Sequence, residues 1–220
     1  MHRSRRQISL LAVLLLAACH RGKGAEDAAE PMDIPLRPLA NLAAQRVVVT
    51  PAFSLVSGES LGWSAQIPRA REFLLALDST IAATFAERGL KSQWIYPADL
   101  VRAKRGSPTY AVDPYALGVG QLRNPNVVSG TKLGDPLATQ LRTMVALQED
   151  ARAVIIPVEL RFEKDAKTGL GAAALRVALL DGRLGDVRWI GTVRSDPATV
   201  FSPALLTSLA AHLADLIVAP

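Results

Sequence analysis

The chain has 220 residues, is half apolar and one-fifth charged, carries a formal charge of +5, and contains one cysteine and three histidines. So apolar a composition excludes a disordered chain, a single cysteine excludes a disulfide scaffold, and no run joins Lys and Arg with aromatics as nucleic-acid binding would require. The length suggests one domain.

At the amino end, Arg3, Arg5 and Arg6 precede an apolar run of 11 residues from Ile8 to Ala18. A bilayer needs about 20 residues of helix, so this run is too short to span one. A basic start, a short apolar run and small residues at Ala17 and Ala18 are the pattern of a secretory signal, residues 1–18. The stretch Leu16-Ala17-Ala18-Cys19 resembles the lipobox of bacterial lipoproteins, in which cleavage leaves the cysteine first and acyl chains such as palmitate are attached to it. The resemblance implies a lipidated Cys19 and a membrane partner reached through those chains; two or more make such anchoring stable. His20 follows, where enteric lipoproteins retained in the inner membrane have Asp, which implies an outer-membrane, periplasm-facing location. Removing residues 1–18 takes away three arginines and lowers the formal charge to +2, so the basic balance of the whole chain names no partner.

Residues 19–45 read as the lipidated cysteine and a flexible tether. Its stretch HRGKGAEDAAEPM, residues 20–32, is small and charged, with a reach of roughly 20 Å. Residues 33–45 mix Pro35 and Pro38 with Leu36, Leu39 and Leu42 and are expected to pack irregularly before the first strand. A single globular domain, 46–220, then begins with Arg46-Val47-Val48-Val49-Thr50, whose β-branched run suits a central strand buried on both faces. Gly, Ser and Pro forbid a long element over 53–68. Phe73, Leu77, Ile81 and Phe85, with Leu74 beside them, predict a helix over 69–88, stopped by Gly89 with Leu90 after it.

Gln93–Tyr96 is a short strand candidate, and Pro97 starts a short helix. Residues 105–134, rich in Gly and Pro, form a long loop holding Tyr110 and Tyr115, either a partner-binding loop or one without a task. Asp135-Pro136 caps a helix through Leu137, Leu141, Met144 and Val145. Ala153–Glu163 reads as a strand with an edge or bulge at Pro157, and Ala173–Asp181 and Val187–Arg194 as a hairpin through GRLG at 182–185. Ser202-Pro203 caps a last helix with Leu206, Leu209, Leu213 and Leu216. The fold class is α+β, a mixed sheet flanked by three main helices.

Three segments, RVVVTPAF (46–53), AERGLKSQWIYPADLVRA (86–103) and LRVALLDGRLGDVRWIGTVR (175–194), resemble the group formed by the TolB amino-terminal domain and the lipoproteins CsgG and PelC. The resemblance implies a TolB N-terminal-domain-like fold and a non-catalytic accessory, scaffold or assembly lipoprotein of an envelope or secretion complex, with an envelope protein or further copies of itself as partner. A narrower version is an activator of a peptidoglycan synthase. The chain departs from the group in being too short for TolB's propeller and in lacking the paired alternating segments of about 10 residues that a CsgG-like pore needs.

Residues for chemistry are few. His212 is the one histidine inside the domain and reads as structural. Gly169-Leu170-Gly171-Ala172-Ala173-Ala174 matches a dinucleotide fingerprint by letter, but a charged turn precedes it and a strand follows, the wrong context. Gly118-Val119-Gly120 lacks the Lys-Ser/Thr of a phosphate loop, and Glu149-Asp150 does not make a metal site. Asp181 and Asp186 read as turn formers; the alternative is a carboxylate-based cell-wall hydrolase using them. The expectation is therefore no catalysis, no cofactor, no metal and no nucleic acid.

Overall fold

The structure, a computed structural model, describes residues 37–219 apart from 57, 68 and 150. The expected signal sequence, Cys19 and most of the expected tether lie outside the described residues.

The three valines of β1 (Val47–Val49) are all buried, as expected of a strand covered on both faces. This strand runs parallel to β3 (Trp94–Ile95) on one side and to β4 (Ala153–Lys164) on the other, with Val47 opposite both Trp94 and Ala153. Two further strands, β5 (Gly171–Asp181) and β6 (Asp186–Arg194), continue antiparallel and give the order β3-β1-β4-β5-β6. A two-residue strand, β2 (Leu55–Val56), pairs with the later part of β4. Between the two contact regions of β4, its register against β5 shifts at Pro157–Glu159. Pro157 has no N–H for the ladder, so of the two sequence readings, edge or bulge, the structure takes the bulge. The chain linking β1 to β2 follows β4 around it, with Thr50 N–H donating to Ile155 O (3.0 Å) and Phe53 N–H to Pro157 O (3.3 Å).

Side chains alternate across a strand, so β4 and β5 feed two cores. On one face Leu160, Leu175 and Val177 meet α1 (Ala70–Glu87) and α4 (Ala204–Asp215) through Leu77, Phe85, Leu209 and Leu213. On the other, Val154, Ile156 and Leu180 meet Leu137, Leu141 and Val145 of α3 (Leu137–Ala146). The fold is α+β, a mixed sheet with helices on both faces. Leu39 and Leu42 are buried in the first core, and Leu39 N–H donates to Leu216 O, so the stretch before β1 packs onto the domain through a short 3-10 turn, Ala40–Leu42.

Helix ends follow local chemistry. Gly89 at φ +83° and Leu90 close α1, with Leu90 N–H donating to Phe85 O and Gly89 N–H to Ala86 O. Asp135 Oδ1 accepts from Thr139 N–H at 3.2 Å and Oγ1 at 2.7 Å, capping α3. The expected Ser202 cap is absent: α4 starts after Pro203 with no side-chain cap. A fourth helix, α2 (Pro97–Gly106), is longer than the sequence suggested; Asp99 accepts from Tyr96 N–H at its start.

The expected 105–134 loop starts two residues later, because Arg105 and Gly106 end α2; the rest is irregular apart from one 3-10 turn (Val119–Arg123) and a bridge from Lys132 to Asp186, yet Leu117, Val119, Leu122 and Leu133 are buried in the second core. It is packed wall as much as loop. In the first core, Trp63 anchors the irregular stretch before α1 against Phe162 and Phe201, ring centroids 5.8 Å away in each case. Gly171 makes room for it, since a Cβ there would stand 2.2 Å from the Trp63 ring.

Candidate functional site

Where the chain leaves β1 it runs beside the first half of α1, and the two leave a cleft of about 380 Å³ between them. Phe53 and Leu55 form one wall, Leu74 and Leu75 the other, and Arg71 and Tyr115 add the polar groups. Leu75 and Tyr115 are 39% and 40% exposed, high for side chains of their size. Burial, followed by the negative charge of Asp78, raises the Tyr115 hydroxyl above its ordinary pKa, and Arg71 partly offsets this. The phenol stays protonated, an apolar ring with a hydrogen-bonding tip.

Beneath this cleft sits a residue that the sequence reading missed. Asp78 projects from α1 with 7% exposure, and its Oδ1 accepts from Ala52 N–H at 2.8 Å. Its Oδ2 is buried without a hydrogen-bond partner. Burial outweighs the Ala52 hydrogen bond and pushes the carboxyl up to about 7. The signal was available: Asp78 is a carboxylate on the stripe that carries Leu74, Leu77, Ile81 and Phe85.

The two tyrosines separate. Tyr115 lines the cleft, whereas Tyr110 is 75% exposed and is not among its lining residues. Asp181 and Asp186 face each other across β5 and β6 but turn to different cations. Asp181 is 3% exposed; Oδ1 accepts from the backbone N–H groups of Arg183 (3.1 Å) and Leu184 (3.0 Å). Its Oδ2 accepts from Arg152 Nε (2.7 Å) and Arg188 Nη2 (2.9 Å). Burial raises its pKa, but the Leu184, Arg188 and Arg152 hydrogen bonds outweigh that and bring it to about 2. Asp186 pairs with Lys132.

His212 places Nδ1 2.7 Å from Arg194 O and Nε2 3.6 Å from Asp196, a tie between α4 and the end of β6. Gly169 sits in a turn at φ +71° and Gly171 opens β5, so the fingerprint-like stretch leads into a strand. Glu149 pairs with Arg46. Among the described residues, no group of three His, Cys, Asp or Glu side chains is placed to hold a metal ion.

No family model matches the chain, and no curated protein matches it. Among solved structures, a PelC dodecamer from Paraburkholderia phytofirmans is similar at 14% identity and TM-score 0.38, over 83% of this chain and 93% of that chain. The LpoB C-terminal domain from Salmonella enterica is similar at 15% identity and TM-score 0.37, over 71% and 86%. Lipoprotein GNA1162 from Neisseria meningitidis is similar at 17% identity and TM-score 0.33, over 77% and 93%. These are distant likenesses, and what the site can do follows from its geometry. That geometry offers a place to dock an apolar side chain beside a phenol and a guanidinium.

Proposed function

We propose that this chain is a non-catalytic accessory or scaffold lipoprotein of the bacterial envelope, anchored to the outer membrane through acyl chains on Cys19 and working by contact with an envelope protein. The observation that carries the docking half is the cleft between α1 and the 52–55 segment, where exposed Leu75 and Tyr115 flank a concave apolar surface. Aromatic and Arg side chains around a small apolar pocket are the composition of an interface anchor. Arg71 favours a partner that presents an apolar side chain next to an acidic one. The anchoring half rests on the lipobox-like Leu16-Ala17-Ala18-Cys19, and among the described residues no helix is long and apolar enough to cross a membrane.

The experiment is a photo-reactive amino acid in place of Tyr115 in living cells. The expected result is crosslinking to a defined envelope protein that disappears in Leu75→Asp, a substitution at an exposed position. Capture that survives Leu75→Asp, or no capture by a folded protein, would count against the cleft. If the captured protein is a peptidoglycan synthase, the narrower activator reading gains its support from the same experiment.

The hydrolase alternative fares less well at its own residues. A general acid must hold its proton near working pH, whereas Asp181 is held at about 2 and engaged by two arginines.

A further inference from the structure

A second cavity, of about 350 Å³, opens where β4 starts and β5 ends. Arg152, Arg188 and Asp181 border it together with Asn41 and Gln45. Its core is an unusual allocation of charge. Asp181 is almost wholly buried, and both its oxygens are occupied: two backbone N–H groups on one, two guanidiniums on the other. The backbone contacts alone would fix the β5–β6 turn. Two arginines, Arg152 just before β4 and Arg188 on β6, go beyond that need, and one carboxylate neutralises only one of them.

Each guanidinium gives Asp181 a single N–H, through Nε of Arg152 and Nη2 of Arg188, out of the five it carries. The side chains are 61% and 49% exposed, so their remaining donors face solvent and the cavity, while Asp181 holds both groups in orientation. Asp186 nearby pairs with Lys132 and also attracts Arg188, and the Lys132–Asp186 pair adds no net charge. The result is a net positive cavity with two pre-oriented forks.

The geometry points to an anion-binding site in which Arg152 and Arg188, positioned by Asp181, take the phosphate group of a small phosphate ester. A carboxylate has two oxygens, which one fork satisfies; two separate forks suit the three or four oxygens of a phosphate. The cavity is larger than a bare ion needs and lies at the lower end of the range for small-molecule sites, leaving room for the organic part of an ester. Such a phosphate could belong to a soluble ester or to a lipid headgroup.

The test is calorimetric titration of the full chain in neutral detergent at low salt with glycerol 3-phosphate, and with acetate as the planar anion. The expected result is one saturable site for glycerol 3-phosphate, with affinity falling about tenfold or more in Arg152→Gln and in Arg188→Gln, as loss of a charge-assisted pair implies. Arg194→Gln, a change to an arginine elsewhere on β6, should bind like the parent. Thermal unfolding confirms that each variant is folded, and Arg152, the more exposed of the two, is the safer variant. No saturable binding, binding as tight as the parent's in both cavity variants, or acetate binding as tightly as the ester overturns the proposal. Competition by short-chain phosphatidylglycerol but not phosphatidylcholine assigns the phosphate to a lipid headgroup; failure of both to compete with bound ester assigns it to a soluble one.

Discussion

Two aspartates shifted in opposite directions set how this domain responds to pH. Asp78 has its pKa raised from 3.8 to about 7, so between those values the unfolded chain releases a proton that the folded one keeps. Stability should fall as pH rises through that window, by on the order of 4 kcal/mol, and level off above it. Asp78→Asn keeps an acceptor for Ala52 N–H and cannot ionise. The variant should be the more stable protein at pH 8, with little difference between pH 5 and 8, as read by urea unfolding; a variant with the parent's slope would remove Asp78 as the cause. Asp181 runs the other way: its folded pKa of about 2 lies below 3.8, so its contribution is complete above about pH 4 and is lost as pH falls through 2. Asp181→Asn should cost about 2 kcal/mol at pH 7 and converge on the parent below pH 2. Asp181 was legible as a turn former because its backbone partners are two and three residues away. Its arginine at position 152 was not legible, because nothing local in the sequence links strands 29 residues apart.

At the scale of elements, periodic apolar patterns located α1, α3, α4 and the strands β4 to β6 within a few residues. They work because a helix or strand repeats its buried position at a fixed interval. The 105–134 segment has no such period, so its irregular backbone could be read from Gly and Pro but its share of the core could not. Leu122 is fully buried there while Val128 is 59% exposed. Leu122→Ala should therefore cost about 2–5 kcal/mol in denaturant unfolding, and Val128→Ala less than about 0.5 kcal/mol. Equal small effects would mean that the segment only rests on the sheet. The length of α2 escaped for a related reason: apart from Pro97 at its start, Leu100 is its one buried residue, too little for a stripe.

For the whole molecule, anchoring and docking are separable. Under the proposed function Cys19 would carry the first: cells fed a clickable palmitate analogue should label the parent, and Cys19→Ala should abolish the label without altering the domain's thermal unfolding. Label retained in Cys19→Ala would mean that the acyl chains sit elsewhere. The proposed docking cleft and the proposed anion cavity lie at opposite ends of β1, one beside the residues that follow it and the other beside Ala153, the partner of its first residue Val47.

By itself the sequence determined what depends on neighbours along the chain: the kind and order of most elements, the β5–β6 turn, the glycine stop of α1 and the bulge-or-edge choice at Pro157. Tertiary structure alone decided which faces were covered, that an irregular segment became core, that Asp78 met Ala52 across 26 residues, and that two arginines converged on Asp181. The reason is physical. Periodicity and turn chemistry act over a few residues, whereas the cleft and the charged cavity exist only once the strand order brings distant segments side by side.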